Sequence, residues 1–293
     1  MKNIKLWTAL ITPMEQDGSV HYNDLEKVAR RQEEAGNGIL LLGSTGEGLA
    51  LSEDEKKAVV EFVTGLDLSV PVMVGVGGFN ISAQKEWIRY CNSLAVDAFL
   101  LVTPLYSKPG IQGQTVWFTT LFDVSEKPCM LYNIPSRTGV TMPPQVLKNV
   151  ELHKNFWAVK EAGGNINELL KLRETSPDVP IFSGDDGLMA FFAAAGCSGL
   201  VSVASNLWPH ATKLYVEKCM NGDTESLFPV WTHAVEYLFS APNPIPAKVL
   251  LKQKGVIEFP ALRLPLTEKE LKVTDEPKRT DDAIMNWYNL NKS

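Results

Sequence analysis

Phe156-Trp157-Ala158-Val159-Lys160, followed at once by Glu161-Ala162-Gly163-Gly164, is the stretch on which the fold turns. Aromatic and apolar until its last residue, it reads as a strand buried on both faces, and the glycines turn the chain directly afterwards. Strands of that kind belong to parallel sheets covered by helices. Lys160 closes the run where an ammonium is costly, so the neutral amine is favoured and its pKa falls. A neutral amine attacks carbonyl carbon and forms a Schiff base. The plainer alternative is a strand-end lysine with a buried stem and its head in water.

Similar runs recur at Leu6–Met14, Gly38–Gly43, Pro71–Val76, Ala98–Thr103, Pro128–Ile134, Phe156–Glu161, Pro180–Gly184 and Gly199–Ala204. Helical patterns separate them. One opens at Ser52 with a capping box to Glu55 and places Ala58, Val59, Phe62 and Val63 on one face. Another covers Gln114–Val124, where Trp117, Phe118, Leu121 and Phe122 form a stripe that packs on a sheet. Eight strand–helix units in succession predict an α/β fold, a (β/α)8 TIM barrel, with an open doubly wound sheet as the alternative. Beyond Asp223 the alternation stops, and Thr224–Phe239, Pro246–Lys254 and Asp281–Leu290 read as helices. The expected division is a catalytic barrel over 1–222 and a C-terminal helical region over 223–293.

Composition bounds the function. The 293 residues are 45% hydrophobic and 21% charged, with a formal net charge of −6, which argues against nucleic acid and anionic membranes as partners. Apolar runs such as Gly38–Leu42 are strand-sized, too short to cross a bilayer. Residues 1–7 read as entering a strand directly, without a signal peptide. Cys91, Cys129, Cys197 and Cys219 show no paired spacing and read as reduced core residues of a cytoplasmic protein. His21, His153, His210 and His233 are equally scattered, so no metal site is expected.

A barrel collects its chemistry on the loops after the strands. Gly43-Ser44-Thr45-Gly46-Glu47 follows the second strand, and Thr103-Pro104-Leu105-Tyr106 the fourth. Tyr132-Asn133-Ile134-Pro135-Ser136-Arg137-Thr138-Gly139 closes the fifth, Lys160 the sixth, and Ser183-Gly184-Asp185-Asp186 the seventh. Taken alone, residues 43–48 are a tight turn without the lysine of a nucleotide-binding P-loop, and Gly75-Val76-Gly77-Gly78 is a turn, not a dinucleotide fingerprint.

Together these segments resemble the pyruvate-dependent class I aldolases of the dihydrodipicolinate synthase and N-acetylneuraminate lyase family. The Gly-x-x-Gly-Glu loop at Gly43–Glu47, the Tyr-Asn-x-Pro segment at Tyr132–Pro135 and the Lys160-Glu161 strand end carry the likeness, which extends from Thr12-Pro13-Met14 to Leu262-Arg263-Leu264-Pro265. The resemblance implies that Lys160 forms an imine with pyruvate and that Tyr132 shuttles protons. It implies that Thr45 and neighbouring N–H groups hold the pyruvate carboxylate, and that Gly184 and Val201 line the pocket through their backbone. Ser44 and Tyr106 would complete a proton relay with Tyr132, Ser44 standing where the synthases usually carry threonine. The family usually delivers the strand-four tyrosine across a subunit interface, so a homodimer or homotetramer is expected. No cofactor is expected beyond the covalent imine on Lys160.

Arg137 points to the second substrate. A guanidinium on the loop after the fifth strand suits an acceptor with its own carboxylate. In the synthases this arginine holds L-aspartate-4-semialdehyde, so the resemblance implies its condensation with pyruvate to 4-hydroxy-tetrahydrodipicolinate, in lysine biosynthesis by way of diaminopimelate. Asn243-Pro244-Ile245-Pro246-Ala247-Lys248 and Leu262–Thr267 also look like synthase segments. The rival enzymatic reading is N-acetylneuraminate lyase or a 2-keto-3-deoxy sugar-acid aldolase, favoured by Ser44-Thr45. A catalytically silent keto-acid-binding relative is the remaining alternative. Many synthases of the family are inhibited by lysine, and the corresponding positions here are Gly48, Leu49, Glu53, Lys56, Asn80, Gln84 and Leu105. Gln84 and Leu105 replace the glutamate and tyrosine of the sensitive pattern, Lys56 adds like charge, and Asn80 and Glu53 remain; insensitivity to lysine is expected.

Overall fold

A computed structural model describes residues 4–272 and 276–292. The reading of the first residues as direct entry into a strand rests partly on residues 1–3, which lie outside that range. Eight parallel strands close into a barrel in chain order, which excludes the open sheet. They are β1 Leu6–Ala9, β2 Gly38–Leu41, β3 Val72–Val76, β4 Ala98–Val102, β5 Cys129–Asn133, β6 Phe156–Glu161, β7 Ile181–Ser183 and β8 Gly199–Ser202. The first is much shorter than its apolar run. Leu10 N still bonds Leu40 O at 2.9 Å, and after it the chain leaves the barrel: the Ile11 amide bonds the Asn206 side chain at 3.0 Å, and Met14 pairs instead with Val20.

Inward-facing residues, among them Trp7, Leu40, Met73, Leu100, Met130, Phe182 and Val201, fill the barrel as a packed core. A larger apolar layer joins strands to the surrounding helices. Ser52 caps helix Glu53–Thr64 with the expected capping box, although Val60 rather than Ala58 completes its buried face. Trp117, Phe118, Leu121 and Phe122 are all buried on helix Ile111–Val124.

After helix Pro209–Met220 come three more helices, Phe228–Leu238, Ile245–Gln253 and Glu276–Asn291. The first begins four residues later than its pattern suggests. The last begins before Asp281, because a proline in its first turn, Pro277, leaves the helical bonds intact. Trp231 stacks on Tyr215 with ring centroids 4.2 Å apart and meets Trp287 edge-on at 5.4 Å. The late helices therefore share an aromatic core with a helix of the barrel. Among the described residues no helix is long and apolar enough to cross a membrane.

One irregularity sets up the chemistry. Cys129 pairs with Phe156, but Met130 pairs with Ala158, so Trp157 is an extra residue between β5 and β6. Without that bulge Tyr132 would lie opposite Val159. With it, Tyr132 and Lys160 are level neighbours at the C-terminal end of the barrel.

Candidate active site

Lys160 is buried, with 5% of its surface exposed, and its Nζ lies over the Tyr132 ring, 4.1 Å from the centroid. Burial brings the amine down to about 7; the Asp186 carboxylate opposes that shift and the Arg137 cation reinforces it. Gly184 leaves room for the lysine stem. A Cβ there would stand 2.6 Å from Ala162 Cβ and 2.8 Å from Lys160 Cε.

Tyr132 is also buried, and desolvation pushes its phenol up to about 12 despite the Arg137 charge and the neighbouring Ser44 hydroxyl. It therefore stays protonated at neutral pH and can hand a proton on through Ser44. Thr45 is buried beside them, its Oγ1 accepting a 2.9 Å bond from Asn243 Nδ2, which leaves the threonine proton free to donate. The loop carrying both hydroxyls is tightly wound. Glu47 takes φ +52°, and a Cβ at Gly48 would come within 2.2 Å of Leu42 O.

A cleft of about 310 Å³ opens beside this pair, lined by Ser44, Tyr132, Arg137 and Asn243 on one side and by Leu49, Lys56, Gln84, Trp87 and Leu105 on the other. Lys160 does not line it; Tyr132 forms the wall between them. Arg137 sits on the one-turn helix Pro135–Thr138, exposed at the cleft and without an ion-pair partner among the described residues. Val201 is buried in the interior of the barrel below. Tyr106 stands apart. It is 86% exposed, holds φ +66°, and its ring meets that of Phe79, with centroids 6.4 Å apart.

The structure thus brings Lys160, Tyr132, Ser44, Thr45, Arg137 and Gly184 to one end of the barrel, sets Val201 beneath them and turns Tyr106 outward. Asp186 was missed as a site residue. Its carboxylate, 1% exposed, accepts from Ser202 Oγ at 2.5 Å and Val203 N at 2.9 Å, and burial raises it to about 6. A second acid directly after a Ser-Gly-Asp strand end was the available signal. Asn243 was missed because it lies 198 residues from Thr45. A nucleophilic amine beside a phenol–hydroxyl pair, with an unpaired guanidinium at the entrance, can add to the carbonyl of a small carboxylate-bearing substrate. Among the described residues no group of three or more His, Cys, Asp or Glu is placed to hold a metal ion, and all four cysteines are free and buried.

Comparison with known proteins agrees with that chemistry. The model of the dihydrodipicolinate synthetase family matches residues 2–283. The 4-hydroxy-tetrahydrodipicolinate synthase of Francisella philomiragia is 47% identical, the match covering 98% of this chain and 97% of the relative. The solved 4-hydroxy-tetrahydrodipicolinate synthase from Methylacidiphilum fumariolicum SolV superposes with TM-score 0.91 at 30% identity, over 99% of this chain and 98% of the other. The chloride-inhibited dihydrodipicolinate synthase from Acinetobacter baumannii, solved in complex with pyruvate, gives 0.87 at 28% identity, over 97% and 98%.

Proposed function

The chain belongs to the dihydrodipicolinate synthetase family, and from that membership we propose how its own residues carry the reaction. It is a lyase of the class I aldolase type that condenses pyruvate with L-aspartate-4-semialdehyde to 4-hydroxy-tetrahydrodipicolinate, in lysine biosynthesis. The sugar-acid and sialic acid reading of Ser44-Thr45 is not favoured by its relatives, which carry the synthase name. The observation that carries the residue assignment is the buried Lys160 amine, near 7, over the Tyr132 ring.

Lys160 Nζ attacks the pyruvate ketone, and water leaves as the imine forms. Tyr132 gives the departing oxygen its proton and is resupplied through Ser44. The cationic imine draws electrons from the pyruvate methyl, which loses a proton and attacks the aldehyde carbon as an enamine. Attack of the acceptor's own amine on the imine carbon closes the ring and frees Lys160. The imine is the electron sink, so these steps require no separate cofactor. Thr45 holds the pyruvate carboxylate, Gly184 and Val201 bound its pocket, and Arg137 grips the carboxylate of the acceptor.

Tyr106, held outward by a strained backbone, belongs to the relay of a second subunit in a homo-oligomer. Tyr132→Phe and Tyr106→Phe are each expected to keep the fold and lower turnover by about 10²-fold, the usual worth of a positioned acid–base group. Steady-state rates with a circular dichroism control test this; a normal rate for Tyr106→Phe would remove the shared relay.

L-lysine at millimolar concentration is expected to leave the rate unchanged. Lys56, on the cleft wall, is paired with Glu53 and lies 5.5 Å from the Trp87 ring centroid, so Glu53 is not free for an incoming ammonium. Asn80 accepts from Ala83 N at 3.2 Å as a helix cap. Saturable inhibition at low-millimolar lysine would overturn this.

A further inference from the structure

Residues 43–48 are held by their own turn bonds and by Thr12 Oγ1 on Gly46 O at 2.7 Å, and also by chain some two hundred residues away. Lys248, fully buried, places its Nζ 2.5 Å from Glu47 Oε1 and donates to Ala261 O at 2.7 Å. The other Glu47 oxygen accepts from Arg263 N at 2.8 Å. Asn243, five residues before Lys248, makes the bond to Thr45 already described. Arg263 continues the clamp outward, donating to Gly18 O at 2.7 Å and pairing with Glu55.

A buried ion pair stabilises little, because desolvation of two charges offsets most of their attraction. What this one does supply is geometry. Both Glu47 oxygens are fixed, and the residue is held at a positive φ that glutamate ordinarily avoids. Two residues earlier comes Thr45, and before it Ser44, beside Tyr132. Without the clamp both Glu47 oxygens lose their partners, and only the turn's own bonds, Glu47 N to Ser44 O and Gly48 N to Gly43 O, with Thr12 Oγ1 on Gly46 O, are left to hold these hydroxyls at the barrel mouth.

We propose that Lys248 is a positioning residue for keto-acid binding: through Glu47 it holds residues 43–48 in the shape that grips the pyruvate carboxylate. The inference rests on the reaction and the Thr45 role proposed above. On this view the C-terminal region supplies part of the scaffold of the substrate site.

The test uses the full chain and measures the pyruvate concentration giving half-maximal borohydride trapping, the KM for L-aspartate-4-semialdehyde, and Tm. Lys248→Met is expected to raise the pyruvate requirement by about tenfold or more, as a small misplacement of binding groups does, with the semialdehyde KM within about twofold. The double variant Glu47→Gln, Lys248→Met leaves no unpaired buried charge, so Tm recovers while the raised pyruvate requirement persists. If Lys248→Met does not fold, the double variant decides alone. A pyruvate requirement that recovers together with Tm, or that stays within about twofold of the parent, overturns the proposal. A parent chain that traps no pyruvate overturns the reaction itself, and this inference with it.

Discussion

Borohydride reduction in the presence of pyruvate is expected to add one reduced pyruvate per chain, on Lys160, and Lys160→Ala is expected to show no adduct and to lose turnover by about 10³-fold or more. No other described lysine combines burial at a strand end with an adjacent phenol. Lys248 is more deeply buried, but its ammonium is held by Glu47. The pH dependence follows from the lowered pKa of about 7. Below that value Lys160 is protonated and cannot attack; above it the amine is free. The initial trapping rate should therefore climb through about pH 7 and level off, where an ordinary lysine would keep climbing toward 10.5. Peptide mapping of the adduct and a pH series of trapping rates check both parts. An adduct on another lysine would sink the assignment, and a rise only in the ordinary lysine range would sink the account of its activation.

Arg137→Ala should separate the two substrates. Its guanidinium faces the cleft without an acidic partner among the described residues, so its loss falls on an acceptor carboxylate. Stranding such a charge typically costs about 2–5 kcal/mol, so kcat/KM for L-aspartate-4-semialdehyde should fall by roughly thirty- to several-thousand-fold. Pyruvate trapping should survive, with its rising limb moved to higher pH, because the Arg137 cation helps to hold Lys160 low. Arg137→Lys should recover only part of the loss, since an ammonium cannot form the two-pronged contact. Parallel loss of trapping and turnover in Arg137→Ala would reassign the residue to pyruvate binding or to structure.

Legibility in the sequence followed the range of the interactions. Lys160, Tyr132 and Arg137 were readable because each sits on an apolar strand or its following loop, and a barrel places all such loops at one end. The capping box at Ser52 was readable because its two bonds span three residues. Asp186 was quoted as part of a strand end, yet its role depends on Ser202 and Val203 across β7 and β8. Asn243 and Lys248 stood out only as members of a proline-rich segment, because their partners are Thr45 and Glu47.

From the sequence alone came the eightfold alternation, the catalytic end of the barrel and the chemistry its residues can perform, since hydrophobic period and residue type are local properties of a chain. Tertiary structure decided the rest. The extra residue Trp157 between β5 and β6 is invisible as a bulge until the strands pair, yet it sets Tyr132 level with Lys160. The lowered amine likewise needs the whole barrel around it: a lysine flanked by apolar neighbours in sequence still meets water unless Gly184 and the inner core close over its stem. Register and desolvation are sums over residues distant in the chain, and only the closed fold brings those residues together.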